Sequence, residues 1–435
     1  MRAKTTEAVA IVGLGYVGLS LASIVLDAGY AVVGIDVSET KVSKLLAGSS
    51  PVSDLSDHQI GQMLKNGFSP TTEFADIAGC STVVLALPTP VSVENEPDLG
   101  ALESAISAGA PFAVAGQLWI LESTVQPGAT EGIVLSLISK FAPEGAVGIK
   151  LAYSPERVDP GSSHTHVFAA PKIVAGVDHG SLRSASAFYE RLGFDVVAAK
   201  ALREAEAAKL LENTYRAVNL ALVNEMAHVF GQAGIDIVEV IRLAATKPFG
   251  FQAFWPGPGV GGHCIPVDPW YLVAFLGQTG LSSTLTNLAL EINSRVPRRT
   301  AARILELAGT AGDMAGGRPE VKLLGMTYKA DVNDFRGSPG IEIARELSSL
   351  GAVVRYHDPF LMTEIPELAA SWLSDEEAFS HFGGTTVVLQ NHSVYRTAIT
   401  ASAGIGTLYS AAPGGSHLGT PIWIPSQPSV AQVEA

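Results

Sequence analysis

Cysteine is nearly absent: 435 residues contain two, Cys80 and Cys264. Two thiols in so long a chain make no disulfide framework, so a reduced, cytoplasmic protein is expected. Positive charge is also scarce. Lys and Arg number 28 against 42 Asp and Glu, a formal net charge of −14. A nucleic-acid binder normally carries a basic face, so this balance argues against one. An anionic ligand would have to be held by a few well-placed cations and backbone N–H groups. Long uncharged runs are missing too, with one exception. Residues 8–26, AVAIVGLGYVGLSLASIVL, have membrane-spanning length and follow Arg2 and Lys4. Gly13, Gly15 and Gly18 interrupt this run, and no small-residue cleavage site clearly follows it. It reads as a buried strand, a tight turn and a helix, and no membrane association is expected.

The sequence does contain alternating β-branched runs and helical segments. AVAIVGLG, YAVVGIDV, STVVLALPTP and LWILEST read as strands, and 17–28 and 39–47 as helices. That alternation predicts a parallel, doubly wound sheet. From about Arg203 to Ala233 one long helix is predicted, with Leu211, Tyr215, Val218 and Leu222 on one stripe and Gly234 at its C-cap. More helix is expected around 235–245 and across about 270–310. The Gly-bearing segment 308–320 reads as a linker. Beyond it VKLLGMTY, AVVRYHDP and TTVVLQNHS predict a second, smaller α/β domain. The last ten or so residues read as frayed.

Residues 13–18, GLGYVG, fit G-x-G-x-x-G. A strand precedes the motif, a helix follows, and Asp36 ends the next strand about 20 residues on. Gly13, Gly15 and Gly18 let the backbone turn tightly and approach a pyrophosphate, which the helix N-terminus then favours. Asp36 would accept hydrogen bonds from the adenosine ribose, favouring NAD over NADP. Lys41 opens a 2′-phosphate contact, but the carboxylate would repel that phosphate. Asp36 as a mere surface residue is the weaker reading, given strand, turn, helix and acid together.

Lys209 and Asn213 are spaced i, i+4 on the long helix, with Arg216 about one turn on. The set is either a solvated face or a lysine and an amide serving an oxyanion, and spacing alone does not choose. The segment 256–272, PGPGVGGHCIPVDPWYL, surrounds Cys264 with glycine. Zinc would need further ligands at recognisable spacing, and none is present, so no metal site is expected. Cys80 precedes a buried strand, which argues against a disulfide. An inert buried thiol suits a helix or strand better than a glycine loop. A nucleophilic thiol fits the loop best.

Together these motifs resemble the nucleotide-sugar 6-dehydrogenases, the UDP-glucose and UDP-N-acetylhexosamine dehydrogenase family. The resemblance includes LPTPV (87–91), ESTVQPGAT (122–130), YSPERVDPG (153–161), EAEAAKLLENTYRAVNLALVNE (204–225) and MTYKADVNDFRGSP (326–339). It implies two Rossmann-like, doubly wound parallel-sheet domains joined by a central long-helix domain. Residues 1–200 would bind NAD, 201–310 would dimerise and carry the Lys/Asn pair and cysteine loop, and 318–435 would bind the UDP moiety of a UDP-sugar. A homodimer or higher homo-oligomer through the central helix is the implied assembly.

The implied chemistry is oxidation of the sugar C6 alcohol to a carboxylate in two NAD-dependent steps, with Cys264 adding to the aldehyde. Lys209 and Asn213 would stabilise the oxyanion, and Asp268 would help position water or protons. Thr124 and Glu156 would hold a catalytic water, with Glu156 a base for thioester hydrolysis. Tyr16, Val17, Thr89, Thr124 and Arg336 would join the glycines, Asp36 and Lys41 around the cofactor. Arg157, Arg216, Gly259, Gly261, Gly262, Tyr328 and Lys329 would join Glu156, Lys209 and Asn213 around the substrate. His263 receives no role.

ATKPFGF (245–251) and the cysteine loop look most like enzymes acting on UDP-N-acetylglucosamine, with UDP-N-acetylmannosamine, UDP-N-acetylgalactosamine and UDP-glucose as competitors. Two positions depart from the family pattern: Gly337 where glutamate is usual, and Asn391 where aspartate is usual. A β-hydroxyacid dehydrogenase would share the dinucleotide fold and the Lys–Asn helix, yet needs neither the cysteine loop nor a second α/β domain. A non-catalytic dinucleotide sensor would not need the Lys209, Asn213, Cys264 and Asp268 set.

Overall fold

A computed structural model describes residues 7–52, 54–157, 168, 170–311, 314–315, 318–361, 363–366, 368–401, 407–412 and 420–423. The chain divides into two compact units, Met1–Glu212 with Trp270–Ser282, and Asn213–Pro269 with Ser283–Ala435.

The first unit is built on an eight-stranded sheet. Its strands are β1 (Ala8–Val12), β2 (Ala31–Ile35), β3 (Phe68–Thr71), β4 (Thr82–Leu85), β5 (Leu118–Leu121), β6 (Lys150–Tyr153), β7 (Lys172–Gly176) and β8 (Val196–Ala198), in the order β3-β2-β1-β4-β5-β6-β7-β8. All neighbours are parallel except β6 and β7. The uncharged run 8–26 supplies β1, the glycine turn and the helix Tyr16–Asp27. Val9, Ile11, Leu19, Ala22 and Val25 from it are fully buried in the unit's core. Its hydrophobicity therefore serves a buried parallel sheet, whose strands are covered on both faces. Among the described residues no helix is long and apolar enough to cross a membrane.

The second sheet carries β9 (Met314–Ala315), β10 (Arg318–Leu324), β11 (Val353–His357), β12 (Ser371–Trp372), β13 (Thr385–Val388), β14 (Thr407–Ser410) and β15 (Thr420–Pro421). Its order is β12-β11-β10-β13-β14-β15, with β9 paired antiparallel to β10. The strand order reverses beside β1 in one sheet and beside β10 in the other, which places a crevice for ligands at each point. The fold is thus α/β with two largely parallel sheets and a long helix, Leu202–Gln232, between them in sequence.

Two expectations change. The helical stretch 270–310 is two helices, Asp268–Gln278 and Thr284–Ala311. Gly280, at φ +73°, breaks the stretch, and the Ser283 hydroxyl starts the second helix by accepting from the Thr286 N–H at 3.4 Å. The segment 308–320 is no open linker, because its described parts continue the helix to Ala311 and then form β9 and the start of β10. The helical stripe does not face a core: Leu211, Tyr215 and Leu222 are 66%, 46% and 55% exposed. The tail expected to fray lies outside the described residues.

Candidate active site

The turn after β1 is fixed by packing. Gly13 has φ +97°, and a Cβ there would stand 2.4 Å from the Ala86 carbonyl oxygen. A Cβ on Gly18 would stand 1.8 Å from the Gly13 oxygen, so strand and helix can meet only without side chains. Gly15 differs: its Cβ would meet nothing within 4 Å. Gly15 is the N-cap of the helix Tyr16–Asp27, with no side-chain cap and no acid in the first turn. The helix start therefore carries a positive dipole end that no side-chain cap or first-turn acid offsets, which suits a pyrophosphate. Asp36, just past β2, is buried and accepts from the Leu14 N–H at 2.9 Å and the Ser38 N–H at 3.0 Å. Lys41 turns back onto the same carboxylate at 2.5 Å. These residues fit NAD: the glycine turn and helix start suit its pyrophosphate, and Lys41 is already paired with Asp36.

Beyond β4 and β5, Ser123 ties two segments together. Its hydroxyl accepts from the Leu87 N–H at 2.9 Å and donates to the Leu87 carbonyl at 2.8 Å. This joins the segments that carry Thr89 and Thr124 beyond β4 and β5. Glu206, on the long helix and fully buried, accepts from the N–H groups of Gly128 and Thr130 and from the Thr130 hydroxyl, at 2.5, 2.9 and 2.6 Å.

Glu156 belongs to a charge cluster. The Lys172 ammonium donates to Glu122 at 2.9 Å and to Glu156 at 3.1 Å, and the Tyr189 hydroxyl donates to Glu122 at 2.6 Å. Burial raises the Glu122 carboxyl above its ordinary range, against the pull of Lys172. For Lys172 burial acts downward, but the two carboxylates outweigh it and keep the ammonium charged. Lys209 donates to the Glu156 backbone carbonyl at 2.8 Å. Arg157 forks onto Glu212 at 3.2 and 2.6 Å and also donates to the Pro171 carbonyl. Glu122, Lys172, Tyr189 and Glu206 were not singled out from sequence. The one available signal was a lone lysine heading the apolar run IVAG.

In the second unit, Asn213 donates to Asp268 at 2.5 Å, and both are buried. The Asp268 N–H in turn donates to the Cys264 carbonyl at 2.8 Å. Three residues chosen from sequence thus lie in one connected group, Cys264 joined to it through its backbone carbonyl. Cys264 Sγ lies 3.3 Å from His263 Nδ1. The loop leading to them is anchored by the Gly257 N–H, which donates to Asn224 at 3.0 Å.

The loop glycines are crowded by protein. A Cβ on Gly261 would lie 2.6 Å from Pro339 Cδ and 2.7 Å from Tyr328 Cβ, and one on Gly262 would lie 2.8 Å from the Tyr328 ring. Tyr328 therefore packs on the cysteine loop. Gly337 sits at φ +57°, and a Cβ there would lie 3.1 Å from the Gly262 oxygen. A residue with a side chain would be strained there, which gives the departure a physical reason. Asn391 accepts from Arg396 at 3.1 Å. Arg336 is bound bidentately to Asp334, at 2.9 and 2.6 Å. Lys329 is half-buried on the same segment, and Arg216 is exposed.

Comparison with known proteins agrees with this organisation. Residues 7–193 match the NAD binding domain of the UDP-glucose/GDP-mannose dehydrogenase family, 203–295 its central domain and 322–405 its UDP binding domain. A UDP-N-acetyl-D-glucosamine 6-dehydrogenase of Pseudomonas aeruginosa is 31% identical over 91% of this chain and 90% of its own. A UDP-N-acetyl-D-mannosamine dehydrogenase of Methanocaldococcus jannaschii is 33% identical over 81% of this chain and 79% of its own. The structure of a UDP-D-ManNAc dehydrogenase from Pyrococcus horikoshii superposes with a TM-score of 0.80, at 28% identity and 98% coverage of both chains. With all three domain models matched in order, the chain belongs to the UDP-glucose/GDP-mannose dehydrogenase family and is an NAD-dependent oxidoreductase of nucleotide sugars.

Proposed function

We propose that this protein oxidises the C6 alcohol of a UDP-N-acetylhexosamine, best matched by UDP-N-acetylglucosamine, to the uronic acid, for a surface-polysaccharide precursor. The observation that carries the reading is the connected Asn213–Asp268–Cys264 group. Asn213 is bonded to the buried Asp268, whose N–H closes the turn on the backbone carbonyl of Cys264, and a one-step alcohol dehydrogenase has no use for a thiol in that turn. Bound NAD would accept the hydride in each of the two oxidations. Gly13, Gly15, Gly18 and Asp36 would hold it, with Tyr16, Val17, Thr89, Thr124 and Arg336 as further contacts.

Lys209 and Asn213, one turn apart on the long helix, stabilise negative charge on the sugar O6. Cys264 adds to the aldehyde and holds the carbon through the thioester stage. Glu156, held by Lys172, draws the proton from the water that opens the thioester, with Thr124 beside it. Tyr328, Lys329, Arg157, Arg216 and the loop glycines are the substrate contacts in this reading. The exposed stripe of Leu211, Tyr215 and Leu222 supports a homodimer formed through the long helix.

A panel of UDP-N-acetylglucosamine, UDP-N-acetylmannosamine, UDP-N-acetylgalactosamine and UDP-glucose tests both reaction and substrate. Two NADH per sugar and a uronic acid are expected, with UDP-N-acetylglucosamine the best substrate. One NADH and a carbonyl product would sink the double oxidation. Cys264→Ala should lose acid formation by at least about 10³-fold, as removal of a covalent nucleophile does.

A further inference from the structure

We propose that His263 is the base that takes the proton from Cys264, with Asp334 as the positioning group behind the imidazole. The proposal rests on the reading of Cys264 as nucleophile and adds the group that makes it one. A thiol adds to an aldehyde as the thiolate, and an ordinary thiol is mostly protonated at neutral pH. Something beside Sγ has to carry the proton.

The two ring nitrogens of His263 face different partners. Nδ1 lies 3.3 Å from Cys264 Sγ, and Nε2 lies 3.9 Å from Asp334 Oδ2. A sulfur on one side and a carboxylate on the other is the arrangement that favours proton transfer from S–H to the ring, because the carboxylate stabilises the imidazolium that forms. Neighbouring side chains in an extended segment point apart. Here Gly262 at φ +83° and the turn closed by Val267 and Asp268 N–H groups on the Cys264 carbonyl bring them together.

Asp334 is a fixed reference. It is 6% exposed, its carboxylate takes two bonds from the Arg336 guanidinium and one from the Arg336 N–H, and its backbone carbonyl accepts from the Tyr328 N–H. Burial raises its carboxyl, but these bonds and the Arg336 charge, with a smaller pull from His263, hold it below the usual range. It is therefore anionic at neutral pH. Besides Asp334, the 326–338 segment carries Lys329, Asp331 and Arg336, and Asp268 stands four residues beyond Cys264. Arg336, bound to Asp334, weakens its pull on the ring.

The step balances within the protein and the aldehyde. The Cys264 S–H bond breaks, its proton goes to Nδ1 of His263, and the electron pair stays on sulfur. A bond forms from sulfur to C6, and the carbonyl π pair moves to O6. When the thioester is later opened, the departing thiolate pairs again with the imidazolium.

The test reads the thiol directly, without cofactor or substrate. In a Cys80→Ser background, alkylation of Cys264 by iodoacetamide is followed against pH. Buried Cys80, whose thiol burial pushes up to about 11, is thereby removed from the signal. The midpoint should lie at least one unit below the roughly 8.5 of a free thiol. His263→Ala and His263→Asn should each raise it by about one unit or more. Asp334→Asn should raise it less. A second readout is acid formation from the C6 aldehyde of the UDP-sugar. His263→Ala should slow it at least about 10-fold at pH 7, with recovery near pH 9 as the thiol ionises unaided. A midpoint that is ordinary in the parent protein, or unmoved in both His263 variants, overturns the proposal. Failure of the nucleophile reading shows separately, as full acid yield from Cys264→Ala.

Discussion

The turn after β1 and the turn after β10 begin as copies of one another. Gly13 has φ +97° and Gly325 has φ +93°. The Gly13 N–H donates to Ile35 at the end of β2, and the Gly325 N–H donates to His357 at the end of β11. A Cβ on either would strike backbone just beyond the next strand over, Ala86 in one case and Gln390 in the other. Even the acid recurs: Asp36 accepts from the Leu14 N–H, and Asp358 from the N–H groups of Met326 and Thr327. Then the two diverge. After Gly13 the helix starts at Tyr16, whereas after Gly325 a loop runs on to the helix Pro339–Ser349. That loop carries Tyr328, Asp334 and Gly337, which pack on the cysteine segment. The same turn leads straight into a helix in one sheet and into a buttress for the cysteine loop in the other.

Removing the two acids is the sharpest way to separate the turns. Asp358 is fully buried against His392 at 3.3 Å, so Asp358→Ala takes a partner from a buried imidazole and leaves the N–H groups of Met326, Thr327 and Phe360 without their acceptor. We expect a loss of about 3–5 kcal/mol in the second unit, read as an earlier calorimetric transition. Equal stability of variant and parent would mean that the second acid is a ligand contact rather than a structural one. Gly13→Ala and Gly325→Ala come next, each costing about 2–3 kcal/mol in its own unit, from the left-handed backbone and the backbone overlap together. If only one of the pair is destabilised, the two turns are not equivalent.

Asp36→Ala should act on ligand more than on fold. Lys41 is 31% exposed and can turn to water once its partner is gone. Loss of a charged ribose contact predicts NAD binding weaker by about 10-fold or more by calorimetric titration. An unchanged NAD affinity would remove Asp36 from the cofactor site. Gly15→Ala should likewise weaken NAD while leaving stability within about 0.5 kcal/mol, since its Cβ meets nothing.

What could be read from sequence follows the same division. The first turn was legible because G-x-G-x-x-G, its flanking strand and helix, and Asp36 are all local. The second was legible as strands and, through the resemblance, as Tyr328, Lys329, Arg336 and Gly337, but not as a support for the cysteine loop, since what Asp334 and Gly337 touch lies about 70 residues away in the chain. Glu122, Lys172 and Tyr189 escaped for the same reason: Glu122 follows β5, Lys172 starts β7 and Tyr189 lies in the helix His179–Arg191, and only the packing of helix on sheet brings them within 3 Å. The stripe of Leu211, Tyr215 and Leu222 has helical period, but period does not say which face is covered. Gly280 was visible as a residue, yet a single glycine does not announce a break until its φ is known.

The comparison extends into the strands themselves. Val12 and Leu324 end β1 and β10, so Ala10 and Lys322 hold the same place in the two sheets, and each is at most 1% exposed. Lys322 donates to the Ala378 and Ser380 carbonyls at 2.8 and 3.4 Å, and its ammonium lies 4.8 Å from the centre of the Phe382 ring. Burial, with a smaller push from Arg355, lowers its pKa from 10.5 to about 8. The unfolded chain therefore binds this proton more tightly than the fold does. Below about pH 8 both states hold it and its burial costs stability in full, and between about 8 and 10.5 the fold releases it and the cost fades. Lys322→Met should raise the stability of the second unit by about 1 kcal/mol at pH 7, the relief of a buried charge being partly offset by two carbonyls losing their donor. The gain should shrink steadily from pH 8 to 10. Urea unfolding at pH 7 and pH 9.5 measures it. A gain of the same size at both values would mean that Lys322 keeps its proton throughout, and that β10 tolerates a full charge where β1 has a methyl group.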